Sequence, residues 1–224
     1  MYKANITTAL ALVVLSALFG AFAHKRYTTG PVTPSPTIVE VIKEVPVESE
    51  GIIIALTMED MYIDLSTRYR HIGKDNRDLI MESIAKAADT HSISPLVLYS
   101  LFAVESSFRW WIEHPLVTVN GSDNKPTKTR AIGLGGVVFE IWGDKLKEAG
   151  VISTKSDLFL IDKNIAASAF IYSYLKSKPL HPKANNQIES GLIRYFGGGY
   201  RSYFEKIDAE IASMFRNKLY GGPQ

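Results

Sequence analysis

The feature that most constrains the fold of this chain is a change in the spacing of its apolar residues after Gly51. Beyond that point apolar side chains recur every three or four positions, which places them on one face of an amphipathic helix. The first such series is Ile54, Met58, Met61, Leu65 and Tyr69. Residues 51–224 are therefore predicted to form a mainly α domain.

Six further helices and one short hairpin are predicted after the first helix. Ser94-Pro95 is typical of a helix start, with a capping serine before a proline in the first turn, and Gly150 is typical of a helix end. The predicted helices begin near Asp75 and then cover residues 96–106, 137–149, 162–176, 188–195 and 200–219. On the second helix, the side chains predicted to face inward are Leu79, Ile80, Ile84 and Ala87. The hairpin is predicted at 117–129, around Asn120-Gly121.

The first 23 residues are predicted to be a membrane anchor or a signal peptide. Residues 4–23 carry no charge, and as a helix they would span about 30 Å, the thickness of the hydrocarbon core. An uncleaved anchor is slightly favoured because the apolar run is longer than cleavage requires. A signal peptide cleaved after Ala23 remains open, since Ala21-Phe22-Ala23 matches the small-residue cleavage pattern. A buried core helix is disfavoured, since the segment is not amphipathic.

Residues 24–50 are predicted to be a linker. Four prolines and several Ser and Thr residues interrupt any helix in this segment. The chain is thus expected to have three parts, which are a membrane or signal helix (1–23), a linker (24–50) and a helical domain (51–224).

Composition excludes several classes of protein. The chain has no cysteine, so disulfide frameworks and thiolate metal sites are ruled out. A net charge of +2, from 25 basic and 23 acidic residues, offers no basic excess for a dedicated nucleic-acid binder. The histidines outside the N-terminal segments show no metal-ligand spacing, and no metal or cofactor is predicted. They are His71, His91, His114 and His181.

Glu105 is the carboxylate that stands out by position. It follows a stretch, 96–104, that contains no charged residue, so burial and the negative pole of the helix end are expected to raise its pKa. The aromatic residues expected to desolvate it are Phe102, Phe108, Trp110 and Trp111. A carboxyl that stays protonated near neutral pH can act as a general acid. A structural glutamate that holds a loop is the alternative.

Four segments in sequence resemble the motifs of lysozyme-like lytic transglycosylases. Glu105-Ser106-Ser107-Phe108 resembles their Glu-Ser-x-Phe signature, and 131–137, Ala-Ile-Gly-Leu-Gly-Gly-Val, is similar to Ala-x-Gly-Leu-Met-Gln-Ile/Val. Asp-Lys-Asn-Ile at 162–165 resembles the start of a family helix, and Leu-Ile-Arg-Tyr-Phe-Gly-Gly at 192–198 resembles a Leu-x-x-Tyr-Asn-x-Gly turn. The resemblance covers about residues 90–207.

This resemblance implies a lysozyme-like fold that binds peptidoglycan glycan strands and cleaves the β-1,4 bond between N-acetylmuramic acid and N-acetylglucosamine. Glu105 would act first as acid and then as base, with a 1,6-anhydro sugar as product. The residues that the matched motifs assign to substrate binding are Ser106, Ser107, Phe108, Gly135, Gly136 and Tyr195. Tyr195 matches the family tyrosine that faces the catalytic glutamate. The implied location is the inner membrane facing the periplasm, or a virion membrane, with secretion if the signal is cleaved.

Departures from the family pattern keep other functions open. Gly135-Gly136 stands where the family has Met-Gln, and Phe196 replaces an Asn. A lysozyme that hydrolyses the same bond is one alternative, with Glu140 as a possible second carboxylate. A membrane-anchored virion or envelope assembly module that binds glycan without turnover is another. The residues that can either stack on sugar or pack in the core are Trp110, Trp111, Phe139 and Trp142.

Overall fold

The computed structural model describes residues 55–120, 126–197 and 201–221. The predicted anchor or signal helix and the linker lie outside these ranges, as does the tip of the predicted hairpin. Within them, no helix combines the length and the apolar character that crossing a bilayer requires.

Seven α-helices and one two-stranded sheet make up the part of the chain that the structure describes, so the prediction of a mainly α domain is confirmed. The helices are α1 (Met58–Arg68), α2 (Lys74–His91), α3 (Pro95–Ser106), α4 (Phe139–Glu148), α5 (Ile161–Lys176), α6 (Gln187–Tyr195) and α7 (Arg201–Tyr220). The strands are β1 (Glu113–Asn120) and β2 (Pro126–Ile132), and a 3₁₀ helix, Lys155–Phe159, precedes α5.

The apolar faces of α1 and α2 largely follow the predicted spacing. In α1, Met61 and Leu65 are buried, as is Tyr69 directly after its end. In α2, Ile80, Ile84 and Ala87 are buried, but Leu79 is 39% exposed, so its predicted inward position is wrong. Leu79 lies about 100° around the helix from Ile80, outside the arc that packs on the neighbouring helices.

Helix α3 forms the centre of the domain, and its end defines the position of Glu105. Every residue from Leu96 to Ala103 is buried, because α1, α2 and α7 all pack against this helix. Ser94 occupies the predicted N-cap position ahead of Pro95, although its side chain makes no capping hydrogen bond. Ser107 and Phe108 then adopt left-handed backbone conformations, with φ of 51° and 58°. They reverse the chain directly after Glu105.

The predicted hairpin is confirmed and is longer than the sequence indicates. Strands β1 and β2 pair antiparallel, with a register shift between Glu113 and Leu116. After β2 the chain enters the turn Gly133–Gly136 and then α4. The end of β2, α4, the 3₁₀ helix and α5 enclose a second apolar cluster, against which Phe139 and Trp142 pack. For these two aromatics, the structure favours core packing over sugar stacking.

Candidate functional site

Glu105 lies in the last turn of α3, between α7 and the turn Gly133–Gly136. The Tyr203 hydroxyl, on α7, donates a hydrogen bond of 2.5 Å to Glu105 Oε1. The other oxygen, Oε2, faces the glycine turn, since a Cβ built on Gly136 would lie 3.1 Å from it. One oxygen is therefore held by a tyrosine and the other meets backbone that carries no side chain.

Burial is the main cause that raises the pKa of Glu105 above its ordinary value. The Tyr203 hydrogen bond and the charges of His114 and Lys206 oppose this rise without cancelling it. The direction agrees with the sequence-based expectation. The neighbours are partly different, because Trp111 is 51% exposed and its ring packs on His71 and Trp110.

Side chains from three different elements hold the turn that faces Glu105. Asn164 Oδ1, on α5, accepts a hydrogen bond from the Gly135 amide at 2.9 Å. The Tyr195 hydroxyl, on α6, donates to the Gly135 carbonyl at 2.8 Å. His114 Nε2, on β1, lies 3.2 Å from the Gly133 carbonyl oxygen. The turn is thus fixed from α5, α6 and the hairpin together.

Glycine is required in this turn by space as well as by conformation. Gly133 and Gly136 have φ of +73° and +61°, a region that favours glycine. A Cβ on Gly135 would lie 2.0 Å from Ser168 Oγ and 2.7 Å from the Tyr195 hydroxyl oxygen. The segment that departs from the family's Met-Gln is therefore packed too closely at Gly135 to accept a side chain.

Asn164 connects the turn to the second apolar cluster, which lies between the end of β2, α4, the 3₁₀ helix and α5. Its side chain is buried, and its Nδ2 donates to the carbonyls of Ile132, at 3.0 Å, and Leu158, at 2.7 Å. With the bond to Gly135, the amide group has three backbone partners in separate segments. The segment 162–165, which resembles the start of a family helix, thus contributes a structural contact to the site.

Two residues assigned to substrate binding by their motif are turned into the core. Ser106 is buried, and its hydroxyl donates to the Phe102 carbonyl at 3.2 Å. Phe108 is fully buried, with its ring against Tyr69 and Tyr99. Neither side chain reaches the surface in this structure, and the left-handed backbone after α3 directs Phe108 inward. Ser107 is exposed at this reversal, and its binding role stays a prediction.

The other predicted site residues do come together around Glu105. Gly135 and Gly136 form the facing turn, and Tyr195 lies close enough for the Glu105 charge to act on its hydroxyl. The Tyr195 hydroxyl nevertheless bonds to Gly135, and the tyrosine that bonds to Glu105 is Tyr203. The place of Tyr203 among the apolar residues of the last predicted helix, 200–219, favours a core position. Tyr203 is indeed 3% exposed, but its hydroxyl ends at the carboxyl.

Glu140 does not resemble a free general base. Its carboxyl accepts hydrogen bonds from the Thr129 hydroxyl and, at 2.7 Å, from Lys155 Nζ. These contacts hold the pKa of Glu140 below its ordinary value despite partial burial. The geometry favours the structural role for this residue.

No known protein family, no curated protein and no solved structure matches this chain. Its function has therefore to be inferred from the chemistry of the Glu105 site.

Proposed function

We propose that this protein is a membrane-tethered peptidoglycan lytic transglycosylase with a lysozyme-like domain. The observation that carries the proposal is the asymmetric setting of Glu105. Its carboxyl has a pKa raised by burial, one oxygen bound by Tyr203 and the other directed at the glycine turn. A buried carboxyl that keeps its proton near neutral pH is suited to protonate a glycosidic oxygen.

In the first step, Glu105 acts as the acid. Because Oε1 accepts the Tyr203 hydrogen bond, the proton of the neutral carboxyl resides on Oε2, which faces the glycine turn. As the C1–O bond of the muramic acid unit breaks, the leaving oxygen takes the bonding electrons and this proton. The substrate's own N-acetyl oxygen stabilises C1 in place of a second carboxylate.

In the second step, the same residue acts as the base. The muramoyl 6-hydroxyl attacks C1, its proton passes to Glu105 Oε2, and a 1,6-anhydro ring closes. The starting state of the enzyme is restored. During the charged interval, the Tyr203 hydrogen bond and the positive charge of Lys206 stabilise the carboxylate, so one glutamate can serve in both steps.

A lysozyme is the second candidate, in which Glu140 would act as a second carboxylate and activate a water that attacks C1 in place of the 6-hydroxyl. The engagement of Glu140 by Thr129 and Lys155 favours the transglycosylase, because it leaves that carboxylate poorly placed to activate water. A glycan-binding assembly module would use the same turn without turnover. The desolvated, hydrogen-bonded carboxyl of Glu105 argues against it, because binding alone does not require such a group.

The proposed location follows from the N-terminal segment and the substrate. Residues 4–23 are uncharged over the length of a membrane span, and peptidoglycan lies outside the inner membrane. We therefore place the domain on the periplasmic side of that membrane, or on a virion membrane, with glycan strands as its partner.

The deciding experiment is digestion of purified peptidoglycan by the full chain in mild detergent, with mass spectrometry of the products. Anhydro-muropeptides are expected, each lacking one water relative to the reducing-end products of a lysozyme. Glu105→Gln is expected to lower turnover at least ~100-fold, the usual effect of losing a general acid. The matched control is Glu82→Gln, an exposed glutamate on α2. Full turnover by Glu105→Gln would reject the proposal, and binding without products from the native chain would favour the assembly module.

A further inference from the structure

His114 is a polar residue beside Glu105. The proposed reaction steps do not explain why its side chain is placed there. It lies on β1 and is half-buried. Its Nε2 is 3.2 Å from the Gly133 carbonyl oxygen. Because a carbonyl can only accept, Nε2 must carry a proton in this contact. The hairpin thus donates a hydrogen bond to the first residue of the turn that faces Glu105.

The same imidazole also borders the glycine that stands against the carboxyl. A Cβ placed on Gly136 would lie 3.1 Å from Glu105 Oε2 and 3.6 Å from both Cε1 and Nε2 of His114. The two side chains therefore approach one backbone position, and Oε2 and Nε2 are within about 7 Å of each other. The distance between Glu105 Oε2 and the glycine turn therefore depends on where the His114 imidazole holds that turn.

The start of the hairpin is shaped to present His114 in this direction. The pairing of β1 with β2 shifts register between Glu113 and Leu116, on either side of His114, and such irregularities redirect a side chain out of the strand alternation. Arg130, on β2, donates to the His114 carbonyl at 3.1 Å and lies 3.8 Å from the Glu113 carboxylate. The backbone of His114 is thus fixed from the opposite strand.

We propose that His114 is a positioning residue for the Glu105 site, which uses its Nε2 hydrogen bond to hold the Gly133–Gly136 turn at the distance from Oε2 that substrate entry requires. The inference rests on the proposed function for its kinetic consequence only. Asn164 and Tyr195 fix the turn at Gly135. His114 acts at the other end, where Gly136 donates its own amide to the Gly133 carbonyl at 3.2 Å.

Two substitutions separate the hydrogen bond from the bulk of the ring. Gln at position 114 retains an N–H donor at a reach similar to that of Nε2, whereas Phe retains the ring and loses the donor. We expect His114→Phe to lower kcat on peptidoglycan by up to about 10-fold, which is what the loss of one hydrogen bond can account for, with KM changed less. His114→Gln should restore kcat to within about threefold of the native chain. The control is His181→Gln, which replaces a histidine whose Nδ1 accepts a hydrogen bond from the Lys183 amide two positions away, and it should have no effect.

A second measurement does not depend on activity. Amide hydrogen exchange of Gly136 in the full chain reports directly on the turn, and it should be faster in His114→Phe and unchanged in His114→Gln. If the native chain cleaves no glycan, this exchange result still decides whether His114 holds the turn. Unchanged exchange and unchanged kcat in His114→Phe would each overturn the proposal. Equal loss in the Phe and Gln variants would do the same, because it would mean that the donor is not what matters.

Discussion

The Tyr203 hydroxyl donates a hydrogen bond of 2.5 Å to Glu105 Oε1, across a separation of 98 positions in the sequence. The ring of Tyr203 is stacked on Phe196, with centroids 4.8 Å apart, so the hydroxyl is held in place by packing. Ion pairs from Arg201 to Glu189 and from Arg68 to Glu210 attach α7 to its neighbours. The carboxyl of Glu105 is therefore oriented by the last helix of the domain.

Replacing Tyr203 with phenylalanine should shift the pH dependence of activity. The hydroxyl favours the charged form of Glu105, so Tyr203→Phe should raise the pKa of that carboxyl further. Since the first step needs protonated Glu105, activity is lost as pH rises through this pKa, and the alkaline limb should move to higher pH. We also expect kcat to fall about 10-fold because the carboxyl is less well held. The check is a kcat profile from pH 4 to 9. Tyr62→Phe, which removes a hydroxyl bonded to Asp78, is the control, and an unmoved limb in Tyr203→Phe would contradict the expectation.

Glu105→Gln should make the protein more stable at neutral pH while it abolishes activity. Burial raises the folded-state pKa of Glu105 above the ordinary value that it has in the unfolded chain. The folded protein therefore binds more protons than the unfolded chain between these two values, and stability falls as pH rises through that window. Glutamine does not ionise, so the Gln variant does not lose stability in this way. Its melting temperature should exceed that of the native chain by a few degrees at pH 7 and match it at pH 4.

A carboxylate with the opposite shift provides the comparison. Lys74 and Tyr62 hold the pKa of Asp78 below its usual value, so its contribution is present above the unfolded pKa and is lost as pH falls. Asp78→Asn should therefore lower the melting temperature slightly at pH 7 and leave it unchanged at low pH. If Glu105→Gln lowered the melting temperature at pH 7, as Asp78→Asn is expected to do, the assignment of Glu105 as a desolvated carboxyl would be wrong.

Gly135→Ala should destabilise the domain, because the added methyl group has no space. Its Cβ would lie 2.0 Å from Ser168 Oγ and 2.7 Å from the Tyr195 hydroxyl oxygen. We expect a loss of about 1–3 kcal/mol in the free energy of unfolding, as for overpacked sites, measured by urea denaturation. Gly73→Ala is the control, since a Cβ there meets nothing within 4 Å, and it should cost at most about 1 kcal/mol. Equal effects in the two variants would show that the turn yields easily.

The mature N-terminus should distinguish an anchor from a signal peptide. The full chain is expected to fractionate with membranes and to retain Met1 or Tyr2, since residues 4–23 are long enough to span. The measurement is intact mass spectrometry of protein recovered from the membrane fraction. A chain that begins at His24 and washes off membranes would replace the anchor by a cleaved signal and keep export. A full-length chain in the cytoplasm would reject both.

The helical domain could be predicted from sequence because its information is local. Apolar residues that recur about every 3.6 positions lie on one face of a helix, whatever the rest of the chain does. The Ser94-Pro95 start of α3 and the hairpin around Asn120 are equally local patterns, and both appear in the structure. Glu105 could be singled out for the same reason, as the first charge after an apolar helix that only the centre of a domain can accommodate.

The composition of the site could not be predicted in the same way, because its members meet only through tertiary packing. Two tyrosines, Tyr195 and Tyr203, lie near Glu105, and which of them donates to the carboxyl depends on how α6 and α7 pack against α3. Phe108 follows Glu105 by three positions, yet the left-handed backbone after α3 buries it in the core. His114 reaches the turn through a register shift in a hairpin that the sequence indicates without specifying its register. The sequence alone thus determined the helices and the unusual carboxylate, since neighbouring residues decide both. Only the tertiary structure decided what surrounds that carboxylate, since contacts across 98 positions depend on the packing of the whole domain.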